Sequence, residues 1–285
     1  MNILTAMIQM EFIMKIVIGL LAAMVLSPAS FASEKTTVTM AGSTSASNVI
    51  EVLAEIYQKQ TGVNVEVQGI GSSAGIVAVK NGTTMLGMSS RELENDELTD
   101  DIQTVIIAHD GIAMVINKSN PVENLSREEI KKIYRREITN WKEVGGEDKP
   151  IIVVTRDVSS GTREEFEKIL DLKRRVNNIE VSDISPRILV GNGNGMVKTL
   201  VANNIYALAY ISLGSVDNGL SVKALSIDGV KATNAHVFSG EYKLSRPFIV
   251  LYKKNIAQPA FDFINYIMSD EGQKIIQEQG YISIK

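Results

Sequence analysis

The chain has no cysteine, one tryptophan and only two histidines, His109 and His236, in 285 residues. It therefore forms no disulfide and offers no thiol nucleophile, iron–sulfur ligand or lipid-attachment cysteine, and two histidines alone make a poor zinc site. Positive charge is short as well. Lys and Arg number 29 against 33 Asp and Glu, for a net charge of −4, which gives no footprint for nucleic acid. The unbroken apolar run Ile16 to Leu26 falls well short of the roughly 20 residues of a membrane-spanning helix. With Lys15 before it and the small-x-small sequence Ser30-Phe31-Ala32 after it, the run reads as an export signal over residues 1–32. Met14 makes a more ordinary start for such a signal than Met1. Residues 33–285 then remain, enough for two modest lobes, and a soluble periplasmic protein of a Gram-negative cell is expected.

Three turns rich in Ser, Thr and Gly stand out, each after a β-like run and before a helix-like one. They are Ala41-Gly42-Ser43-Thr44-Ser45, Gly69-Ile70-Gly71-Ser72-Ser73-Ala74-Gly75 and Arg156-Asp157-Val158-Ser159-Ser160-Gly161-Thr162-Arg163. A helix N-terminus carries unpaired N–H groups and the positive end of the peptide dipole, so each turn is a candidate oxyanion seat. An acidic chain that binds an anion must concentrate its positive potential locally, in loops of this kind.

The spacing of apolar residues alternates strand and helix along the chain, which points to α/β architecture with ligand loops at strand ends. Helices are expected after each turn, from Ser126 to Tyr134 behind a Ser126 cap, and from Pro259 to Gln279. Thr104 to Ala108 and Ile112 to Asn117 read as separate strands flanking His109-Asp110-Gly111. The acidic stretch Glu92 to Asp101 reads most simply as a solvated helix face. Arg187 to Tyr210 holds a strand, the loop Gly191-Asn192-Gly193-Asn194-Gly195, a helix and a further strand. Phe248 to Tyr252 is a late apolar strand.

Singly, each turn is explained by ordinary capping, since Ser and Thr are preferred N-caps and Gly suits strand-to-helix turns. Capping does not, however, call for Gly71, Ser72, Ser73 and Gly75 together, nor for an arginine at the end of a buried strand. Arg156 follows Ile151-Ile152-Val153-Val154-Thr155 and should emerge beside Ser160-Gly161-Thr162. A guanidinium there can pair bidentately with an oxyanion. The plainer alternative is a surface ion pair with Asp157 or Glu164.

With these motifs in place the chain closely resembles the phosphate-binding periplasmic receptors of ABC transporters. The likeness runs over nearly all of residues 33–285 and includes Gln68 through Gly75, Gly87-Met88-Ser89-Ser90-Arg91, Arg156 through Arg163, and Ile133-Tyr134 with Ile138-Thr139-Asn140-Trp141. It implies a two-lobed α/β periplasmic-binding-protein fold of the type II kind, its ligand cleft between lobes joined by a hinge. The lobes would comprise residues 33–110 with 246–285, and 111–245. By position, Thr44, Ser72, Ser90, Arg156, Ser160, Gly161 and Thr162 would hold inorganic phosphate, with Ser43 and Ser73 as neighbours. No cofactor, metal or nucleic acid is implied, and the partner would be a permease in the inner membrane, served by a monomer.

The likeness breaks at two positions. In the best-known branch of the family an aspartate stands where this chain has Ser90 and accepts the phosphate's own proton, so sulfate is rejected. A second carboxylate, which pairs with the arginine, stands where this chain has Val158. Asp110 or Asp157 could supply the missing acceptor. Ser90 also keeps open a receptor for another oxyanion, such as sulfate, molybdate or a phosphonate. An exported phosphatase with Ser160 as nucleophile is a further alternative, but it lacks a histidine or metal set in any turn. A surface partner that senses phosphate without transport is another. Arg91 is expected either as a second anion contact or as a surface charge.

Overall fold

The computed structural model describes residues 37–216 and 222–285; the expected export signal lies outside the described residues. The chain opens with β1 (Thr37–Gly42), α1 (Ser47–Thr61), β2 (Asn64–Gly69), α2 (Ser72–Lys80) and β3 (Leu86–Ser89). β1 pairs in parallel with both β2 and β3. All three strands therefore deliver their C-terminal turns to one end of the sheet, where open α/β sheets place their ligands. α1 covers the sheet with Val49, Ile50, Leu53 and Tyr57, a helical spacing that makes one apolar face.

A 16-residue strand, β4 (Ile102–Asn117), follows. The two short strands expected around His109-Asp110-Gly111 are in fact one. Those three residues stay extended because β13 (Ser245–Lys253) pairs alongside them, Ser245 opposite Gly111, Arg246 opposite Asp110 and Pro247 opposite His109. The register then slips between Phe248 and Ile249, which face Ala108 and Ile106. Ile107 is the extra residue of a β-bulge, a device that bends a strand.

Beyond β4 come β5 (Asn124–Leu125), α3 (Arg127–Arg135), β6 (Ile152–Arg156), α4 (Gly161–Ile169), the hairpin β7 (Lys173–Val176) and β8 (Ile179–Ser182), β9 (Leu189–Gly191), α5 (Gly193–Ala202) and β10 (Ala207–Ser212). Then follow β11 (Val222–Ala224), β12 (Ser226–Ile227), α6 (Asn234–Phe238), β13, α7 (Gln258–Met268) and α8 (Asp270–Glu278). The α3 cap has the expected form: Ser126 Oγ accepts from Glu129 N–H, and the Glu129 carboxylate accepts from Ser126 N–H.

One sheet runs β2-β1-β3-β13-β4-β10-β6-β9, with β11 also on β4. It passes between two large hydrophobic cores, with smaller clusters around Val154 and Val201 and around Ile76 and Leu251. One is built from Val38 to Ala108 and Phe248 to Tyr281, the other from Ile112 to Leu244 with Ile282. The changeover falls at residues 109–111 on β4 and 245–247 on β13. This is the two-lobed α/β fold.

Two further expectations fail for local reasons. Glu92 to Asp101 forms turns rather than a helix, because the Glu97 carboxylate folds back to accept from Arg91 Nη1 and Nη2 and from Glu94 N–H. The C-terminal helix is broken in two at Ser269, which takes an extended conformation, donates to Tyr266 O and caps α8 by accepting from Gly272 N–H.

Candidate functional site

The three Ser/Thr/Gly turns meet at one place, and a fourth joins them. β9 runs through Gly191 and Asn192 into α5, so the Gly/Asn loop repeats the strand-turn-helix arrangement without serine or threonine. Thr44, Ser45, Ser72 and Ser90 come from the first core's side. Arg156, Ser160, Gly161, Thr162 and Asn194 come from the second. The two sets touch. Ser45 Oγ lies 3.1 Å from Thr162 Oγ1, and Arg156 Nη2 donates to Thr44 Oγ1 at 2.9 Å. Ser45, Ser72, Ser90, Arg156, Ser160 and Thr162 are all at most 2% exposed, so the group is enclosed.

Local structure fixes each donor. Ser160 caps α4 by accepting from Arg163 N–H, leaving the first N–H groups of the helix, at Gly161 and Thr162, without intrahelical partners. Glycine at 161 is dictated by proximity, because a Cβ there would stand 2.8 Å from Ser72 Cβ and 3.0 Å from Ser90 Oγ. Gly71, the N-cap of α2, has φ +97° and would bring a Cβ within 2.6 Å of Ser159 O. Only glycine tolerates both conditions. Ser90 N–H donates to Ser72 Oγ at 3.1 Å, and the two hydroxyls lie 3.3 Å apart.

Arg156 is 1% exposed and is held from several directions. Its Nη1 donates to Asn194 Oδ1 at 3.2 Å, its N–H donates to Tyr210 Oη at 3.3 Å, and Asp157 Oδ2 stands 3.7 Å from Nη2. Its Nε has no hydrogen-bond partner among the described residues. Burial lowers the Arg156 pKa, and the Asp157 carboxylate opposes that shift. Tyr210 also lies 2.7 Å from Thr155 Oγ1 and stacks on Phe166 at 3.9 Å, bracing α4 against the sheet. Burial pushes its phenol up to about 12.

A second arginine, absent from the sequence expectations, lies behind the hydroxyls. Arg246 Nη2 donates to Asp110 Oδ2 at 3.0 Å and to Ser45 Oγ at 3.1 Å. Its Nε and Nη1 are buried without hydrogen-bond partners among the described residues. Asp110 is thereby not a free acceptor, since Oδ2 takes Arg246 and Oδ1 takes the N–H of Gly214. Burial pushes the Asp110 carboxyl above its ordinary value, against the pull of Arg246. Ser45 and Asn194 lay inside motifs already noted without being singled out. For Arg246 the available signal was the same as for Arg156, an arginine beside an apolar strand.

Other expected residues are placed differently. Ser43 Oγ accepts from the N–H groups of Ser45 and Ala46 and shapes its own turn. Ser73 Oγ donates to Glu164 Oε1 at 2.9 Å and accepts from Arg91. Arg91 is neither a surface charge nor placed among the hydroxyls. It is 3% exposed and forms ion pairs with Glu97 and Glu164, bridging the two sides of the cleft. That cluster lines a neighbouring cleft of about 550 Å³, separate from the hydroxyl cage. Val158 is exposed, and Asp157 stands beside the arginine in its stead, with Oδ1 accepting from Ser159 Oγ at 2.6 Å.

Comparison with known proteins bears on this arrangement. The PBP superfamily domain family matches residues 27–271. The phosphate-binding protein PstS of Bacillus subtilis is 30% identical over 253 residues, covering 86% of this chain and 80% of that protein. The chain belongs to this family. Among solved structures, a phosphate ABC transporter substrate-binding protein from Clostridium perfringens with bound phosphate is 40% identical, with a TM-score of 0.82 over 88% of this chain and 100% of that one. An ABC-type phosphate transport receptor from Vibrio cholerae is 44% identical, with a TM-score of 0.71 over 86% of this chain and 99% of that one.

Proposed function

We propose that this chain is an exported receptor that closes two lobes on inorganic phosphate and presents it to an ABC transporter permease. The observation that carries the reading is the enclosed set of donors. Hydroxyls of Thr44, Ser72 and Ser90 face the α4 N-terminus at Ser160-Gly161-Thr162 across the Arg156 guanidinium. A tetrahedral anion suits such a site, because preorganised N–H, O–H and guanidinium donors replace its hydration shell. The phosphate-bound structure at 40% identity supports the choice of anion.

The lobes are assigned as residues 33–110 with 246–285, and 111–245, in line with the changeover between the two hydrophobic cores. An export signal at residues 1–32 would carry the receptor to the periplasm. Each chain contributes every residue of the cage, so a monomer suffices. A hydrolase with Ser160 as nucleophile is disfavoured, because its Oγ accepts from Arg163 N–H as a helix cap and bonds to no histidine among the described residues.

One observation favours a second reading. Ser90 supplies a hydroxyl, which both donates and accepts, so the site is open to an unprotonated oxyanion such as sulfate. Isothermal titration of the phosphate-stripped protein with phosphate, then with sulfate as competitor, separates the two. Tight one-to-one phosphate binding untouched by sulfate is expected. Equal binding of sulfate would replace the phosphate receptor with a general oxyanion receptor.

A further inference from the structure

Ser45 Oγ has three neighbours at 3.1 Å: Arg246 Nη2, Asn194 Nδ2 and Thr162 Oγ1. Two of these contacts have a fixed sense. A guanidinium only donates. The Asn194 amide is oriented from its other end, where Oδ1 accepts from Arg156 Nη1 at 3.2 Å and from Ser212 N–H at 3.3 Å. Its NH2 group is therefore the end that faces Ser45. Ser45 Oγ accepts twice, and its single proton goes to Thr162 Oγ1. Thr162 Oγ1 accepts that hydrogen bond, and Ser45 is the partner of its hydroxyl among the described residues. The Thr162 proton is left to point onward.

We propose that Asp110, Arg246 and Ser45 form a polarised relay that fixes Thr162 as an obligatory hydrogen-bond donor to the bound anion. This rests on the phosphate-receptor reading above. Arg246 is a positioning residue that acts through Ser45, and Asp110 holds it in place from the facing strand. The relay favours a deprotonated oxygen at the Thr162 corner, because a P–O–H proton would find no acceptor there and its oxygen accepts more weakly than a charged one. The phosphate proton is turned instead toward the Ser72–Ser90 pair, whose hydroxyl oxygens can accept it.

The test is a double-mutant cycle on phosphate affinity, with wild type, Ser45→Ala, Thr162→Val and the double variant titrated calorimetrically. Ser45→Ala leaves the Asp110–Arg246 pair intact, and the melting temperature without phosphate reports any structural damage. Each single change is expected to weaken binding roughly tenfold, the scale of one buried hydrogen bond to a charged ligand. The double variant should be no weaker than the worse single, because both changes break the same chain. Thr162→Ser, which keeps the hydroxyl, should recover most of the affinity that Thr162→Val loses. Losses that multiply in the double variant overturn the relay, as does a Thr162→Ser variant as weak as Thr162→Val. A wild type that binds no phosphate overturns the receptor reading itself, an outcome distinct from either.

Discussion

Asp110 and Arg246 face each other on adjacent antiparallel strands, 3.0 Å apart and almost wholly buried, where the sheet passes from one hydrophobic core to the other. They join the crossover to the cage, because the same guanidinium reaches Ser45. Removing one member alone leaves an uncompensated buried charge, which costs about 3–5 kcal/mol. Asp110→Ala and Arg246→Met should each show that loss in urea unfolding, and the double variant should lose less than the sum. A single variant within about 1 kcal/mol of wild type would contradict this account.

Arg156→Lys keeps the charge but loses the planar fork that reaches Thr44 and Asn194 together. Phosphate affinity should fall about 10- to 100-fold, the range for a charge-assisted hydrogen bond. Calorimetric titration reads it directly, and an unchanged affinity would remove Arg156 from the site.

Glu164 ties Arg91 and Ser73 of the first core's side to α4 of the second. Glu164→Gln weakens that tie without touching the cage hydroxyls. Phosphate release, followed by stopped flow, should accelerate roughly two- to fivefold, the modest scale of a partly exposed ion pair. A variant with unchanged release would make the cluster a passive surface.

Gly161→Ala places a methyl 2.8 Å from Ser72 Cβ, so the closed arrangement cannot form without displacing one wall of the cage. Phosphate binding should be abolished while the protein without phosphate melts near the wild-type temperature. Retained binding would show that the two sides do not meet as closely as Ser45 and Thr162 indicate.

Tyr210 gives a pH signature. Its folded pKa, pushed up to about 12 from an ordinary value of 10.0, means that the unfolded phenol ionises first as pH rises. Its contribution to stability is complete below pH 10 and is lost progressively as pH rises toward 12. Tyr210→Phe should flatten this part of the stability profile in urea melts taken across that range. An unaltered alkaline profile would assign the loss to other groups.

The sequence made the strand-turn-helix units legible because each is local: Ser43, Ser72 and Ser160 sit where chain chemistry alone marks a helix start. The Arg156 strand was legible for the same reason. Ser45 and Asn194 acquire their roles from partners more than a hundred residues away, which no local pattern records. Arg246 carries the same signal as Arg156, an arginine beside an apolar strand, but at the strand's start and without a Ser/Thr/Gly turn, and its role appears only when β13 sets it opposite Asp110. The same limit explains the errors. His109-Asp110-Gly111 resembles a turn until a partner strand holds it extended, and Glu92 to Asp101 resembles a helix face until Glu97 folds back on Arg91.

The long strands β4 and β13 carry a mechanical consequence. Two lobes joined through one continuous antiparallel ribbon have no pivot with free play. The ribbon is a leaf spring, compliant to bending and twist but stiff to sliding, because sliding would break its ladder of backbone hydrogen bonds. The bulge at Ile107 bends the ribbon three residues from the Asp110–Arg246 rivet. If the lobes part, such a ribbon would bend rather than slide, so the pairing of hydroxyls with opposing donors is a property of the sheet rather than of the ligand.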